Sequence, residues 1–397
     1  MDWKVLRSVA FGAAALSVVL TVPAFAAQTV KVGMILTLSG PLASLGENID
    51  HGAQLYIDEH KGDLPKGVKL EILRRDSTGP NPNVARRLAQ ELIVRDKVQM
   101  LAGLVFTPNA AAIAPLATEA KTPLILMNAS TSKLTRLSPY IVRVSYTQWQ
   151  TAYTIGTWAA EHGFKKAYIA VSDYAPGIDS EHAFAKAFEA KGGKIVGSVH
   201  MPLITPDYVP YMQRVKDAKP DSLFMFTNSG RVTTAAVKGY GEADMHAAGI
   251  TLLGPGDITS DEELPNMGKS ALGTVTAGIY SAQDPRPQNV AFAKAWKKKY
   301  GASSTPNFMA VCGWDGMAAI FATIKAGKYT GEAAMDVLKH WKNPDSPRGP
   351  ISIDPQTRDI VENVYINKVE MVNGHLANVT IETVKDVKDP WKIVNPK

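Results

Sequence analysis

Six short polar loops hold the residues of this chain best suited to grip a small molecule. They are Ser39-Gly40-Pro41, Thr107-Pro108-Asn109, Asn128-Ala129-Ser130-Thr131, Asp173-Tyr174, Asn228-Ser229-Gly230 and Gly256-Asp257. Each follows a run rich in β-formers, and several open a helical stretch. Hydroxyls and amides at such places donate to an anion, alongside the free N–H groups of a helix's first turn. The same residue types cap helices for purely structural reasons, so any single loop is explained without a ligand. Six at strand ends, with Tyr146, Trp149, Tyr153, Tyr174 and Tyr280 interleaved, describe a binding crevice.

Catalytic chemistry is not visible. Gly268-Lys269-Ser270 resembles the end of a phosphate loop, but Glu263 stands where that loop needs glycine. Gly254-Pro255-Gly256 resembles the start of a dinucleotide fingerprint, but Thr259 takes the third glycine's place. Neither GxSxG nor HExxH occurs, and the eight histidines include no pair at i, i+4. Cys312, the one cysteine, lies in the apolar FMAVCGW stretch with no histidine near it, as a buried structural thiol would. Neither an enzyme, a metal site nor a cofactor is expected.

The elements that must position these loops alternate. β-rich runs at Val30–Leu38, Val68–Leu73, Val98–Val105, Pro123–Met127 and Ile141–Val144 are separated by helical stretches at about Gly46–His60, Asn83–Arg95 and Ala110–Ala120. The rhythm then restarts: helix Thr151–His162, strand Lys166–Val171, helix Ile178–Ala190, and strands Lys194–His200, Ser222–Thr227, Ile250–Leu253 and Thr274–Tyr280. Helices over Asn289–Tyr300 and Asn307–Lys325 follow. Val361–Val369 and Leu376–Val384 form a hairpin about Asn373-Gly374. Strand-then-helix repetition implies βαβ units and parallel sheets, here in two units of similar size.

With 397 residues, 45% apolar and 20% charged, the chain is long enough for two substantial cores. Forty-three basic against 37 acidic residues make a mixed surface, and Lys297-Lys298-Lys299 falls on an amphipathic helix, so no nucleic-acid partner is expected. Lys4 and Arg7 precede an uncharged apolar run, Val9–Val22, and then PAFAAQ, where Ala24 and Ala26 meet the small-x-small rule. A helix of that length spans about 21 Å, short of a bilayer core of about 30 Å. Residues 1–26 therefore read as a cleavable signal peptide, and no cysteine stands at the cleavage point to carry a lipid. No other stretch is expected to span a membrane. The mature protein is expected in the periplasm.

From Gln28 to Lys397 the chain resembles the periplasmic solute-binding proteins of branched-chain amino acid type ABC transporters. The resemblance is carried by KVGMILTLSGPLASLG at Lys31–Gly46, LRRDSTGPNPNVARRLAQELI at Leu73–Ile93, GLVFTPNAAAIAPLA, KTPLILMNAST, VSDYAPG, PDSLFMF, YSAQDPRPQNVAFAKAWKKKYG and ETVKDVKDPW. It implies an α/β fold of the type I periplasmic binding protein kind. Two Rossmann-like, doubly wound lobes are joined by three hinge crossings near Val144–Tyr146, Gly278–Tyr280 and Ile351–Ile353. Lobe one would be 28–144 plus 281–350, and lobe two 145–279 plus 352–397. It also implies a monomer, ligand capture in an inter-lobe cleft that closes on binding, and a membrane permease as partner.

The resemblance carries a site with it. Thr107 and Ser130 match positions whose hydroxyls hold a ligand carboxylate, and Asn128 matches a neighbour whose carbonyl takes an ammonium. In lobe two, Gly256 falls at a usually acidic position with Asp257 one residue on, and Asn228 falls near a usual tyrosine. Pro176, Leu45 and Gln148 replace a second tyrosine, an aromatic and an aspartate. A buried ammonium without a carboxylate partner costs several kcal/mol, on the order of a broken buried ion pair. The favoured ligand is therefore a carboxylate with an apolar or aromatic body, stacked among Phe106, Trp149, Tyr153, Tyr174 and Tyr280. Branched-chain or other amino acids are the alternative, and rest on Asp257 turning inward. An amide sensor and an exported enzyme are weaker readings still.

Overall fold

The computed structural model describes residues 28–205 and 207–396; the expected signal peptide lies outside them. The first five strands are β1 (Gln28–Leu36), β2 (Val68–Asp76), β3 (Met100–Gly103), β4 (Leu124–Leu126) and β5 (Ile141–Arg143). They form an all-parallel sheet in the order β2-β1-β3-β4-β5. β3, β4 and β5 are buried along their whole length, which is why they read as unbroken apolar runs and not as alternating ones.

The second sheet begins with β6 (Lys166–Ser172), β7 (Lys194–Met201), β8 (Ser222–Phe226), β9 (Thr251–Pro255) and β10 (Val275–Gly278). These five pair in parallel in the order β7-β6-β8-β9-β10, the same winding as the first sheet. Leu223 and Met225 of β8 join the core on one face, and Phe224 and Phe226 join that on the other. A two-residue period inside a fully buried strand produces that split. The sheet is extended by β11 (Lys342–Asn343), β12 (Ile351–Ile353), β13 (Ile360–Val372) and β14 (His375–Val387). β13 lies antiparallel to β10, and β14 to β13. The β13–β14 turn has Asn373 at φ 51° and Gly374 at φ 81°, the double positive φ that an Asn-Gly hairpin supplies.

The chain passes between the sheets three times. It leaves β5 at Arg143 and enters the helix Gln148–Glu161, which packs in the second sheet's core. After β10 it returns to the helices Pro287–Tyr300 and Phe308–Lys325, whose Phe292, Trp296 and Met317 belong to the first core. It comes back through β12, which pairs with β13. The helix Phe308–Lys325 is long and apolar enough to cross a membrane by composition, contrary to the expectation that only the N-terminal run is. Here it is the central buried helix of the first core.

Several helices begin earlier than their apolar periodicity indicates, and two of these starts matter to the polar loops. One starts at Thr107, with Pro108 in its first turn. The other starts at Gln148, because Thr147 and Gln150 close a capping box: Gln150 N–H donates to Thr147 Oγ1 at 3.1 Å, and Thr147 N–H to Gln150 Oε1 at 2.8 Å. Both starts carry polar residues to the ends of strands.

Candidate functional site

At the end of β3 the backbone turns sharply, with Gly103 at φ 98° and Leu104 at φ 64°. Phe106 then caps the helix that starts at Thr107, in extended conformation and buried in the first core. The loop after β4 is tied to this one. Asn128 Nδ2 donates to Val105 O at 2.9 Å, and Thr107 Oγ1 to Thr131 Oγ1 at 3.1 Å. Thr107, Asn128 and Ser130 are thus brought together, all buried, with Asn128 Oδ1 lacking a partner among the described residues. Ser130 O accepts from Gln148 N–H at 3.1 Å, which links this corner to the start of the next helix.

Gln148 leads to Asp257. Tyr146 O–H donates to Asp257 Oδ1 at 2.7 Å, and Gln148 Nε2 lies 3.4 and 3.3 Å from its two oxygens. Ser229 O–H holds the Asp257 carbonyl at 2.8 Å. Asp257 does turn inward, and Gly256 is glycine for a packing reason: a Cβ there would lie 2.9 Å from Gly278 Cα. Asp257 opens onto a recess between the lobes that is lined also by Asp261, Tyr280, Phe308, Asn367 and Asn378. Phe308 packs edge-on against Tyr146, ring centroids 5.6 Å apart. Tyr280 is buried with its hydroxyl unpartnered among the described residues.

Burial governs the charge state of these groups. It pushes the Asp257 carboxyl up to about 6, against the pull of the Tyr146 and Gln148 hydrogen bonds. It pushes Asp261 up to about 7, with Glu262 adding to the rise and the Asn378 amide opposing it. The Tyr280 phenol is raised by burial and by the charges of Asp261 and Asp284. Outside the recess, burial lifts the Cys312 thiol to about 12, so it is no nucleophile at neutral pH.

The raised Asp257 pKa sets a pH dependence of stability. Below its ordinary value of 3.8 the carboxyl is protonated in both states. As pH rises from there through about 6, the unfolded chain releases its proton first, so this group's stabilisation is lost across that window and the loss is complete above it. We expect Asp257→Asn to remove roughly 2–3 kcal/mol of this pH-dependent decline. Urea unfolding of both proteins at pH 4 and pH 7.5 checks it, and parallel pH slopes would refute it.

Tyr174 and Asn228 also meet. The Tyr174 hydroxyl donates to Asn228 Oδ1, and its ring stacks on Phe226 at 6.1 Å while touching the cores of both lobes. Asn228 Nδ2 is buried without a partner among the described residues. Trp149 and Tyr153 correct the expectation. Trp149 is buried in the second lobe's core, and Tyr153 lines an outer groove with Trp158, Val384 and Pro390. At about 100° per residue, Gln148 and Thr151 share the face toward the recess, which puts residues 149 and 153 on the opposite one. Phe308, Asp261, Asn367 and Asn378 were missed. The alternation along the hairpin offers a signal for Asn367; nothing local marks the others.

The lobes touch across the cleft. Ser132 N–H donates to Asp179 at 3.0 Å, and Asn307 Nδ2 to Glu262 at 2.5 Å. Gly230 faces Ser44 closely enough that a Cβ would stand 3.2 Å from the serine hydroxyl.

Comparison with known proteins agrees with this architecture. The family model described as periplasmic binding protein matches residues 29–375. A Leu/Ile/Val-binding protein homolog 6 of Brucella abortus is 39% identical over 369 residues, covering 92% of this chain and 94% of the relative. A solved solute-binding protein of an ABC transporter from Rhodopseudomonas palustris BisB5, in complex with 3,4-dihydroxybenzoic acid, is 47% identical. Its TM-score is 0.88, and the match covers 92% of this chain and 99% of that one. Another from R. palustris, in complex with 4-hydroxybenzoate, is 44% identical with TM-score 0.88, covering 93% and 100%. The two-sheet fold, its repeated winding and these matches lead to one conclusion: the chain belongs to the periplasmic binding protein family.

Proposed function

We propose that this chain is the extracytoplasmic receptor of an ABC importer and that it captures a small aromatic carboxylate between its lobes. The observation that carries this reading is that two solved solute-binding proteins at 47% and 44% identity, matched over nearly the whole chain, hold 3,4-dihydroxybenzoate and 4-hydroxybenzoate. The geometry supports it. Ser130, the first turn of the helix at Thr107 and, once it turns away from Thr131, the Thr107 hydroxyl offer donors for a carboxylate. Tyr146, Tyr174, Tyr280 and Phe308 offer ring surface. In this reading residues 1–26 export the chain to the periplasm. Lobes 28–144 plus 281–350 and 145–279 plus 352–397 close on the ligand as a monomer. The closed form delivers it to a membrane permease, with no catalytic step and no nucleic-acid contact.

Branched-chain amino acids are the second reading, favoured by the name of the Brucella relative. The inward turn of Asp257 meets the condition that reading rests on, although its carboxylate already accepts from Tyr146 and Gln148. Thermal shift with aromatic acids, amino acids, amides and sugars separates the two, since ligand stabilises by RT ln(1 + [L]/Kd), about 2.7 kcal/mol at a hundredfold excess over Kd. Stabilisation by amino acids alone would overturn the aromatic reading. Ser130→Ala and Thr107→Ala are each expected to weaken aromatic acid binding by about 1–3 kcal/mol, measured by calorimetry. Unchanged affinity in both would remove the carboxylate grip.

A further inference from the structure

We propose that residues 389–392, just after the last strand, set the grip on the ligand carboxylate: Asp389 and Lys392 are positioning residues that act through the turn following Ser130. This rests on the reading above and deepens it. That turn, Ser132–Arg136, is a single short helical turn with little of its own to hold it. Four buried charged side chains fix it and the residue before it. Arg143 Nη2 donates to Thr131 O at 2.6 Å. Ser132 Oγ donates to Asp389 Oδ1 at 3.0 Å. Thr135 Oγ1 accepts from Lys392 Nζ at 2.6 Å and donates to Asp359 Oδ2 at 3.1 Å. Lys392 and Asp359 are themselves paired at 2.9 Å, and Arg143 and Asp359 at 3.4 Å. Arg136 lies over the Trp391 ring at 4.6 Å, which ties the far end of the turn to the same segment.

Helix capping does not account for these charges. Asp389 Oδ1 accepts from Trp391 N–H at 3.0 Å and so starts the helix Pro390–Val394, but serine or asparagine would do that without burying an acid. Asp389 is 2% exposed and Lys392 8%. Asp389 Oδ2 has no partner among the described residues, a cost borne where Oδ1 holds Ser132. Ser132 stands two residues beyond Ser130, and Thr131 between them receives the Thr107 hydroxyl. A shift of Ser132 therefore disturbs both hydroxyls of the grip. Ser132 N–H also donates to Asp179 of the helix Ala175–Ala190 at 3.0 Å, so the same turn carries a contact from the other lobe.

The test measures Kd for 4-hydroxybenzoate by calorimetry on the mature chain, on Ser132→Ala, on Asp389→Ala and on their double variant, each also made on a Ser130→Ala background. Ser132→Ala and Asp389→Ala are each expected to weaken binding about tenfold, the scale of one lost hydrogen bond to a charged group. The double variant should be no more than about twofold weaker than the weaker single, because both changes remove one contact. On the Ser130→Ala background each change should cost less than about twofold, since the group it acts through is gone. A merely structural role would cost as much there as in the parent. Single variants within about twofold of the parent would overturn the proposal and leave the aromatic carboxylate reading standing. So would a full loss on the Ser130→Ala background. If Asp389→Ala does not fold, Ser132→Ala decides alone, since it removes only a hydroxyl. A parent chain that binds none of 4-hydroxybenzoate, 3,4-dihydroxybenzoate and benzoate would overturn both.

Discussion

Replacing Arg348 with methionine is expected to destabilise the protein by about 3–5 kcal/mol, the usual cost of removing one partner from a buried ion pair. Arg348 is buried between two passages of the chain. Its Nε donates to Asp315 at 2.8 Å, and its Nη1 to Glu362 at 2.6 Å and to Ser145 O at 3.3 Å. Nη2 donates to the carbonyl of Val144. One guanidinium thus ties the helix Phe308–Lys325, the strand β13 and the first passage between the lobes. Burial already pushes the Glu362 carboxyl up to about 8 and raises Asp315, and the Arg348 charge opposes both shifts. Without that charge both carboxyls are driven further toward their neutral forms. The loss should therefore be smallest in acid, and should grow as pH rises through the range in which the folded parent ionises these carboxyls while the folded variant still holds them protonated. Denaturant unfolding across pH 5–8 measures it. A loss below about 1 kcal/mol at neutral pH would show that the network is not what holds the passages together.

Gly52→Val is the second large effect, with an expected loss of about 3 kcal/mol or more from overpacking. The helices Ser44–His60 and Phe308–Lys325 meet backbone to backbone. A Cβ on Gly52 would lie 1.8 Å from Ala310 O, and one on Gly313 would lie 2.0 Å from Ile49 O. Both obstacles are main chain, so no side chain can rotate away, and the helices must separate. Because Phe308 begins the second of these helices and lines the recess, the same change should also weaken ligand binding. Gly62→Ala is the control: it lies beyond the same first helix, where a Cβ meets nothing within 4 Å. Equal melting temperatures for Gly52→Val and Gly62→Ala would contradict the close-packing account.

Much of the architecture is legible in one dimension because its signals are short-ranged. Strand–helix alternation, the restart after β5, and the Asn373-Gly374 turn each depend on residues a few places apart, whose backbone preferences act before any tertiary contact forms. The polar loops at the ends of β3 and β4 were visible for the same reason, and Thr107, Asn128 and Ser130 do converge. The capping box at Thr147 was equally local. Reading it would have started the helix at Gln148 and turned Trp149 and Tyr153 away from the cleft.

The rest belonged to the tertiary structure. Whether Asp257 turned inward depended on Tyr146, more than a hundred residues earlier, and on how close Gly256 lies to Gly278. Asn378, Asn367 and Phe308 reach the recess from segments the chain visits only after crossing between lobes, and no spacing pattern links them to Asp257. Arg348 finds Asp315, Glu362 and two carbonyls only once three separate segments of the chain are packed side by side. Local periodicity specifies which elements form and which of their faces are apolar. Which polar groups share a buried space is decided by packing between distant segments, where the cost of an unpaired buried group selects the arrangement that pairs it.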